Sequence, residues 1–241
     1  MHPDRIHLAA AHRLAVLHEL DEGIDNHFTI SHPEREGEYL ILPFGLHWSE
    51  AKASDLVAFD DRGRTTEGDS VVEMSAWCIH APVHRMCNAR VVLHTHQTWA
   101  LTLNMLKDNR VLMATQTACF YDGLIAYDDD YCGTADFPEE GERLAKLLGE
   151  RKILMMKNHG ILVAGDTVAQ AYRRLYRMER VCRNQVLAMS TGRELQVLDP
   201  KIVAAVQAPA DRETHTTRER EDLFFAAMMR VLDRVNPGYA G

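Results

Sequence analysis

The chain has 241 residues, 46% apolar and 26% charged, enough for the core of one large domain, and 27 basic against 35 acidic side chains give a net charge of −8. That balance argues against a grip on nucleic-acid phosphate, and no apolar run approaches the ~20 residues of a membrane helix. The polar start Met1-His2-Pro3-Asp4-Arg5 is unlike a secretory leader, and five cysteines without a CxxC pair point to a reducing, cytoplasmic setting rather than a disulfide framework.

Ile6, Ala10, Leu14 and Leu17 follow helical spacing and predict an amphipathic helix over 5–20, ended by Asp21, Glu22 and Gly23. Strands over 27–31, 39–42 and 56–59 follow, closed by the turn Asp60-Asp61-Arg62-Gly63. A helix over 75–85 contains Pro82; then come a buried strand from 91, a helix over 98–107 and a strand over 110–115. Pro138 opens a helix that Gly149 stops. Strands over 152–156 and 161–164 flank Asn158-His159-Gly160, and Asp166 caps a long helix with the stripe Val168, Tyr172, Leu175, Met178 and Cys182. Residues 207–221 are polar and proline-interrupted and lead to a last helix over 222–235. Alternating helices and strands predict an α/β domain, its sheet covered on both faces with mixed or antiparallel pairing. The expected division is one domain over 1–206 and a C-terminal extension over 207–241.

The sharpest chemical signal is Val91-Val92-Leu93-His94-Thr95-His96. Residues two apart on a strand share a side, so His94 and His96 project together with Thr95 turned away, half of a divalent-metal site. An isolated pair of this kind is more often a hydrogen-bonded couple than a ligand set. His159 stands at a turn between apolar strands, at a sheet end where ligand sites collect, and Gly160 lets the backbone turn closely. Alone, it reads as an exposed turn residue.

In combination these pieces carry more weight. HxH after an apolar strand, then Asn158-His159-Gly160, then Gly165 and a helix opening Asp166-Thr167-Val168 is an order that resembles the class II aldolase/adducin family, from the first helix to about Pro200. The resemblance implies a three-layer α/β/α class II aldolase fold with a central, largely antiparallel mixed sheet. By position it makes His94, His96 and His159 ligands of one divalent cation per subunit, Zn2+ or Mn2+, with Fe2+ as an alternative. In the family such a cation is the Lewis acid that stabilises the enolate left by carbon–carbon cleavage, shared by retro-aldol cleavage, epimerisation and decarboxylation. The resemblance also implies a small-molecule substrate and a homotetramer with active sites between subunits.

Departures from the family pattern narrow the substrate. Its sugar-phosphate aldolases carry a GNxSxR loop, but Asp25-Asn26-His27-Phe28-Thr29-Ile30-Ser31-His32 lacks the glycine and the arginine. Leu42-Pro43-Phe44-Gly45-Leu46 stands where hydroxyls are wanted. A phosphate loop needs N–H groups, hydroxyls and positive charge, so an unphosphorylated hydroxy or aromatic carboxylic acid is expected. Phe44, Trp48, Trp77 and Phe120 are candidates for the walls of an apolar pocket, or plain core aromatics. The family's acid/base glutamate aligns with Ser75 or Ala76, so Glu73 serves only with a slip of two or three residues. For the family's proton-donating tyrosine, often from a neighbouring subunit, Tyr127 and Tyr131 both qualify. Asp128-Asp129-Asp130 lacks the alternation of a calcium loop and reads as a solvated turn. His80 and Arg85 are candidates to bind a substrate carboxylate; the spacing of His80 and His84 otherwise suits packing or support of the ligands. The expected activity is a metal-dependent lyase, with decarboxylation slightly ahead of aldol cleavage of a hydroxy-keto acid or sugar-derived substrate. A non-catalytic adducin-like binding protein is the alternative of a different class, and iron-dependent oxygen chemistry a third.

Overall fold

The computed structural model describes residues 1–134, 137–208 and 216–241. Helix α1 (Pro3–Leu17) leads into strands β1 (His27–Ser31), β2 (Glu38–Ile41), β3 (Val57–Asp60) and β4 (Thr65–Glu67). Next come α2 (Met74–Met86), β5 (Val91–Thr95), α3 (Thr98–Asn104) and the one-turn α4 (Gln116–Cys119). Strand β6 (Ile125–Asp128), α5 (Pro138–Leu148), β7 (Ile153–Met156) and β8 (Gly160–Gly165) complete the sheet, followed by α6 (Val168–Met189), α7 (Pro200–Gln207) and α8 (Thr217–Val235).

Among the described residues, eight strands form one mixed sheet in the order β4-β3-β2-β1-β5-β8-β7-β6, and only the β6–β7 pair, joined through α5, is parallel. Alternation sorts the central strands. Val91, Leu93, Ile153, Met155, Ile161 and Val163 face the layer of α1, α3, α6 and α8, whereas Val92, Leu154, Met156, Leu162 and Ala164 face α2 and α5. Both faces are covered, which is why β7 and β8 read as unbroken apolar runs. Helix α5 lies directly on α2 at Gly141, where a Cβ would stand 1.7 Å from the Cys78 carbonyl oxygen. This is the expected three-layer α/β/α arrangement around a largely antiparallel mixed sheet. Phe225 and Leu232 of α8 lie in the main core, so the last helix packs with the rest of the chain.

Several expectations need correction. Residues 110–115 form no strand: the Val111 N–H donates to the Tyr127 hydroxyl, and Gln185 takes the Leu112 N–H and gives its own amide to the Arg110 carbonyl. With side chains holding those backbone groups, no ladder forms. The cap of α6 is Thr167, whose hydroxyl accepts the Gln170 N–H, rather than Asp166. Helix α8 begins five residues early because Thr216 and Glu219 form a capping box. Strands β4 and β6 and helices α4 and α7 went unpredicted, being short. Of the polar stretch 207–221, residues 209–215 lie outside the described residues.

Candidate metal centre

Strand β5 pairs antiparallel with both β1 and β8, with His27 opposite His94 and Leu162 opposite His94 on the other flank. His94 thus stands on the α2 side of the sheet, while Thr95 faces the other way. His96 follows the strand end, and His159 sits in the turn before β8. Ligand nitrogens of His94, His96 and His159 lie within 4.8 Å of one another, and the Nε2 atoms of His94 and His96 are 3.2 Å apart.

The rings are aimed by what their other nitrogens touch. His94 Nδ1 donates to the Ile161 carbonyl at 3.0 Å, and His96 Nδ1 donates to the Glu22 carboxylate. Neither acceptor has a proton to give, so in both rings Nδ1 carries the hydrogen and Nε2 keeps its lone pair for a cation. The turn bearing His159 is pinned from α3. The Asn158 N–H donates to the Asn104 carbonyl, and Asn104 Nδ2 donates to the Gly160 carbonyl at 2.7 Å. Asn158 takes a left-handed φ of 57°, which asparagine tolerates better than most residues. Burial first, then the neighbouring imidazoles, pushes His94 well below its ordinary pKa and His159 down to about 4. Both are neutral at pH 7, the form that ligates metals.

A second group adjoins the triad across β1. His27 stacks on His94 with ring centroids 5.9 Å apart, and its Nε2 bonds Glu73 Oε2 at 3.1 Å. Glu73 is the N-cap residue of α2, and the His27 bond holds its carboxyl below the ordinary range, keeping it ionised. A narrow cavity of about 20 Å3 beside this pair is lined by Asn26, His27, Phe44, Trp48 and Glu73, among others, with no lysine or arginine among its described lining residues.

Beneath it runs a buried relay. His84 Nδ1 donates to the Ala89 carbonyl at 2.6 Å, so its Nε2 accepts the Thr29 hydroxyl proton at 2.7 Å. Thr29 Oγ1 then accepts from His80 Nδ1, also at 2.7 Å. His80 is therefore left with a bare Nε2 lone pair, and His27 Nδ1 is likewise buried without a partner among the described residues. A fully buried acceptor nitrogen does not pair with a carboxylate, which corrects the carboxylate-binding expectation for His80.

The other named residues separate clearly. Phe44 borders the cavity, whereas Trp77 packs against the β3–β4 hairpin cluster, under Gly63. Arg85 is in the last turn of α2, one helix length from Glu73, facing Asp61 and Glu142; it is not at the site. Tyr127 lies opposite Met155 and so on the sheet face away from His94, its hydroxyl accepting the Val111 N–H at 3.0 Å. Burial raises its pKa. Tyr131 is 54% exposed, with its ring 6.4 Å from that of His159. Asp128 is not solvated: it is buried in a two-pronged pair with Arg143. Sequence reasoning missed His27, Glu22 and Thr29. Period two puts His27 and Thr29 on one side of β1, but only the β1–β5 register places that side against His94.

The family model for the class II aldolase and adducin N-terminal domain matches residues 6–186. An aldolase II superfamily protein from Pseudomonas syringae has a similar structure: TM-score 0.89 at 30% identity, covering 98% of this chain and 94% of that one. Decarboxylase NovR of Streptomyces niveus is 28% identical over 201 residues, 80% of this chain and 74% of its own length. Alpha-adducin of Rattus norvegicus is 31% identical over 255 residues, 98% of this chain but 33% of its own length. Class II aldolases are typically divalent-metal-dependent and act on small molecules, commonly as oligomers, while adducins are not enzymes. With a family match over most of its length and the histidine triad assembled, this chain belongs to the class II aldolase/adducin family.

Proposed function

We propose that the chain is a divalent-metal-dependent lyase that cleaves a carbon–carbon bond of an unphosphorylated hydroxy or aromatic carboxylic acid. One juxtaposition carries the reading: three imidazoles meet beside an ionised carboxylate, and no lysine or arginine stands among the described residues of the adjoining cavity wall. A substrate phosphate there would meet the Glu73 carboxylate without a guanidinium or ammonium group from the wall to hold it.

The donor set fits the group: three neutral nitrogens suit Zn2+, Mn2+ or Fe2+, held by His94, His96 and His159. When bound, the cation supplies Lewis-acid stabilisation of the carbanion left by bond cleavage. Glu73 is the proton-transferring group; His27 orients it and keeps it ionised. Phe44, exposed at the edge of this narrow cavity, is the aromatic side chain nearest a substrate held at the centre, while the buried Trp48 backs the cavity from the core. Exposed Tyr131 is the tyrosine available to a substrate held at this site or at a neighbouring subunit's in a homotetramer.

Glu73 at the site removes one argument for decarboxylation. The aromatic side chain of Phe44 beside the centre and the decarboxylase relative still favour it slightly over aldol cleavage of a hydroxy-keto acid. No helix among the described residues is long and apolar enough to cross a membrane, and no disulfide forms among them, which supports a cytoplasmic location. The test is carbon-dioxide release from a panel of hydroxybenzoate-type acids with Mn2+ or Zn2+, beside pyruvate release from hydroxy-keto acids. Pyruvate alone moves the assignment to aldolase. Silence in both, with substoichiometric metal, supports the adducin-like binding protein instead.

A further inference from the structure

His96 stands between two buried residues that are anchored away from it. The Thr95 hydroxyl donates to Gln97 Oε1 at 3.1 Å, and Gln97 Nε2 donates to the Leu175 carbonyl of α6 at 3.4 Å. Gln97 is also the N-cap residue of α3, but its side chain makes no capping bond. The acceptors for the first N–H groups of α3 come from α6 instead. Glu179 Oε1 takes the Trp99 N–H at 2.8 Å, and Oε2 takes the Ala100 N–H at 3.0 Å. Gln97 gives Glu179 a further hydrogen bond.

Helix α3 is therefore tied to both halves of the histidine centre. Its first residue follows His96 by two positions, and its last, Asn104, holds the turn of His159 through the Asn158 N–H and the Gly160 carbonyl. A serine, threonine, aspartate or asparagine at the N-cap is the ordinary way to satisfy a helix start. Here a carboxylate only 7% exposed, 80 residues further along the chain, does it. Burying a carboxylate is costly unless its oxygens are bonded, and burial raises the Glu179 pKa against the pull of the Trp99 and Ala100 N–H groups. Each oxygen holds one backbone N–H, so the carboxylate clamps the first turn of α3 at two points.

We propose that Glu179 is a positioning residue for the metal centre: by clamping α3 to α6 it fixes where His96 meets His94 and His159. The inference rests on the metal-dependent reading of that triad. Glutamine at this position has one acceptor oxygen for two N–H groups and turns its own NH2 towards the other. The first turn of α3 then moves away from α6, and Gln97 and His96 move with it. Because Asn104 of the same helix holds the His159 turn, such a movement disturbs two ligands of the three.

Titration of the metal-free full chain with Co2+, followed by calorimetry and by the visible absorption of the bound ion, tests this. The absorption reports the number and angles of the ligands. In Glu179→Gln and in Gln97→Leu, Co2+ affinity is expected to fall about tenfold, with an altered spectrum. Phe225→Ala truncates a core side chain of α8 packed on Tyr172, and should lower the melting temperature while leaving affinity and spectrum intact. Gln97→Leu spares the Glu179 oxygens and carries the test if Glu179→Gln does not fold. Wild-type affinity and spectrum in the variants overturn the proposal, whatever their melting temperatures. So does an equal loss in Phe225→Ala, which would reduce the effect to general destabilisation. Failure of the wild type itself to bind Co2+ overturns the metal-dependent reading, and this inference with it.

Discussion

Gly160 and Thr95 approach so closely that a Cβ on Gly160 would lie 2.5 Å from the Thr95 carbonyl oxygen and 3.0 Å from His96 Cδ2. The ends of β5 and β8 bring His96 and His159 to one point only with a hydrogen at that position. Gly160→Ala is expected to force the strand ends apart, lowering stability by about 1–3 kcal/mol and weakening Zn2+ binding about 10–100-fold. Competition against a chelating indicator measures the second effect.

In the proposed centre, Glu22 acts on the cation through His96. Its side chain is 57% exposed, so Glu22→Gln should leave the melting temperature of metal-free protein nearly unchanged. Metal affinity should still fall about tenfold or more, because an amide orients the His96 ring less firmly than a carboxylate. Unchanged affinity would show that the Glu22–His96 contact is incidental.

Removing the Thr29 hydroxyl strands two partners at once. Thr29→Val leaves His80 Nδ1 and His84 Nε2 unsatisfied in the interior, a loss of about 2–4 kcal/mol by urea unfolding. Thr29→Ser keeps the hydroxyl and should recover most of that loss.

Acid should unfold the protein through its neutral histidines. Burial pushes His12 and His84 from 6.5 down to about 4. Between those values the unfolded chain binds more protons than the native one, so stability falls as pH falls through this window and is level above it. By pH 5 the loss is about 2 kcal/mol per histidine, and urea unfolding of His12→Leu at pH 7 and pH 5 should show a shallower dependence.

Glu73→Gln should lower turnover about 10^2–10^4-fold with metal content unchanged. Loss of metal together with activity would mean that Glu73 supports the ligands and does not move the proton.

The histidine triad is legible because its geometry is local: HxH at a strand end and a histidine in a tight turn between strands. Glu73 and His27 are not, since they meet His94 only through the β1–β5 register and the entry angle of α2, neither of which leaves a short-range pattern. The two tyrosines illustrate the same limit. Tyr127 belongs to a four-residue strand whose parity turns it to the far face, while Tyr131 lies beyond the strand and reaches the triad side. Arg85 shares a helix with Glu73 but occupies its opposite end, a matter of axial length that composition cannot convey. Residues 110–115 have the make-up of a strand, but the amide of Gln185 takes the place of a partner strand.

The histidine triad and the carboxylate beside it belong to different pieces of the chain. Three imidazoles ride on β5 and the turn before β8, whereas Glu73 and His27 ride on α2 and β1. Selection acting on α2 and β1 can redirect which bond breaks, or silence the reaction altogether, without disturbing the cation's cradle. A family that includes a decarboxylase and adducins is what a site divided in this way would leave behind.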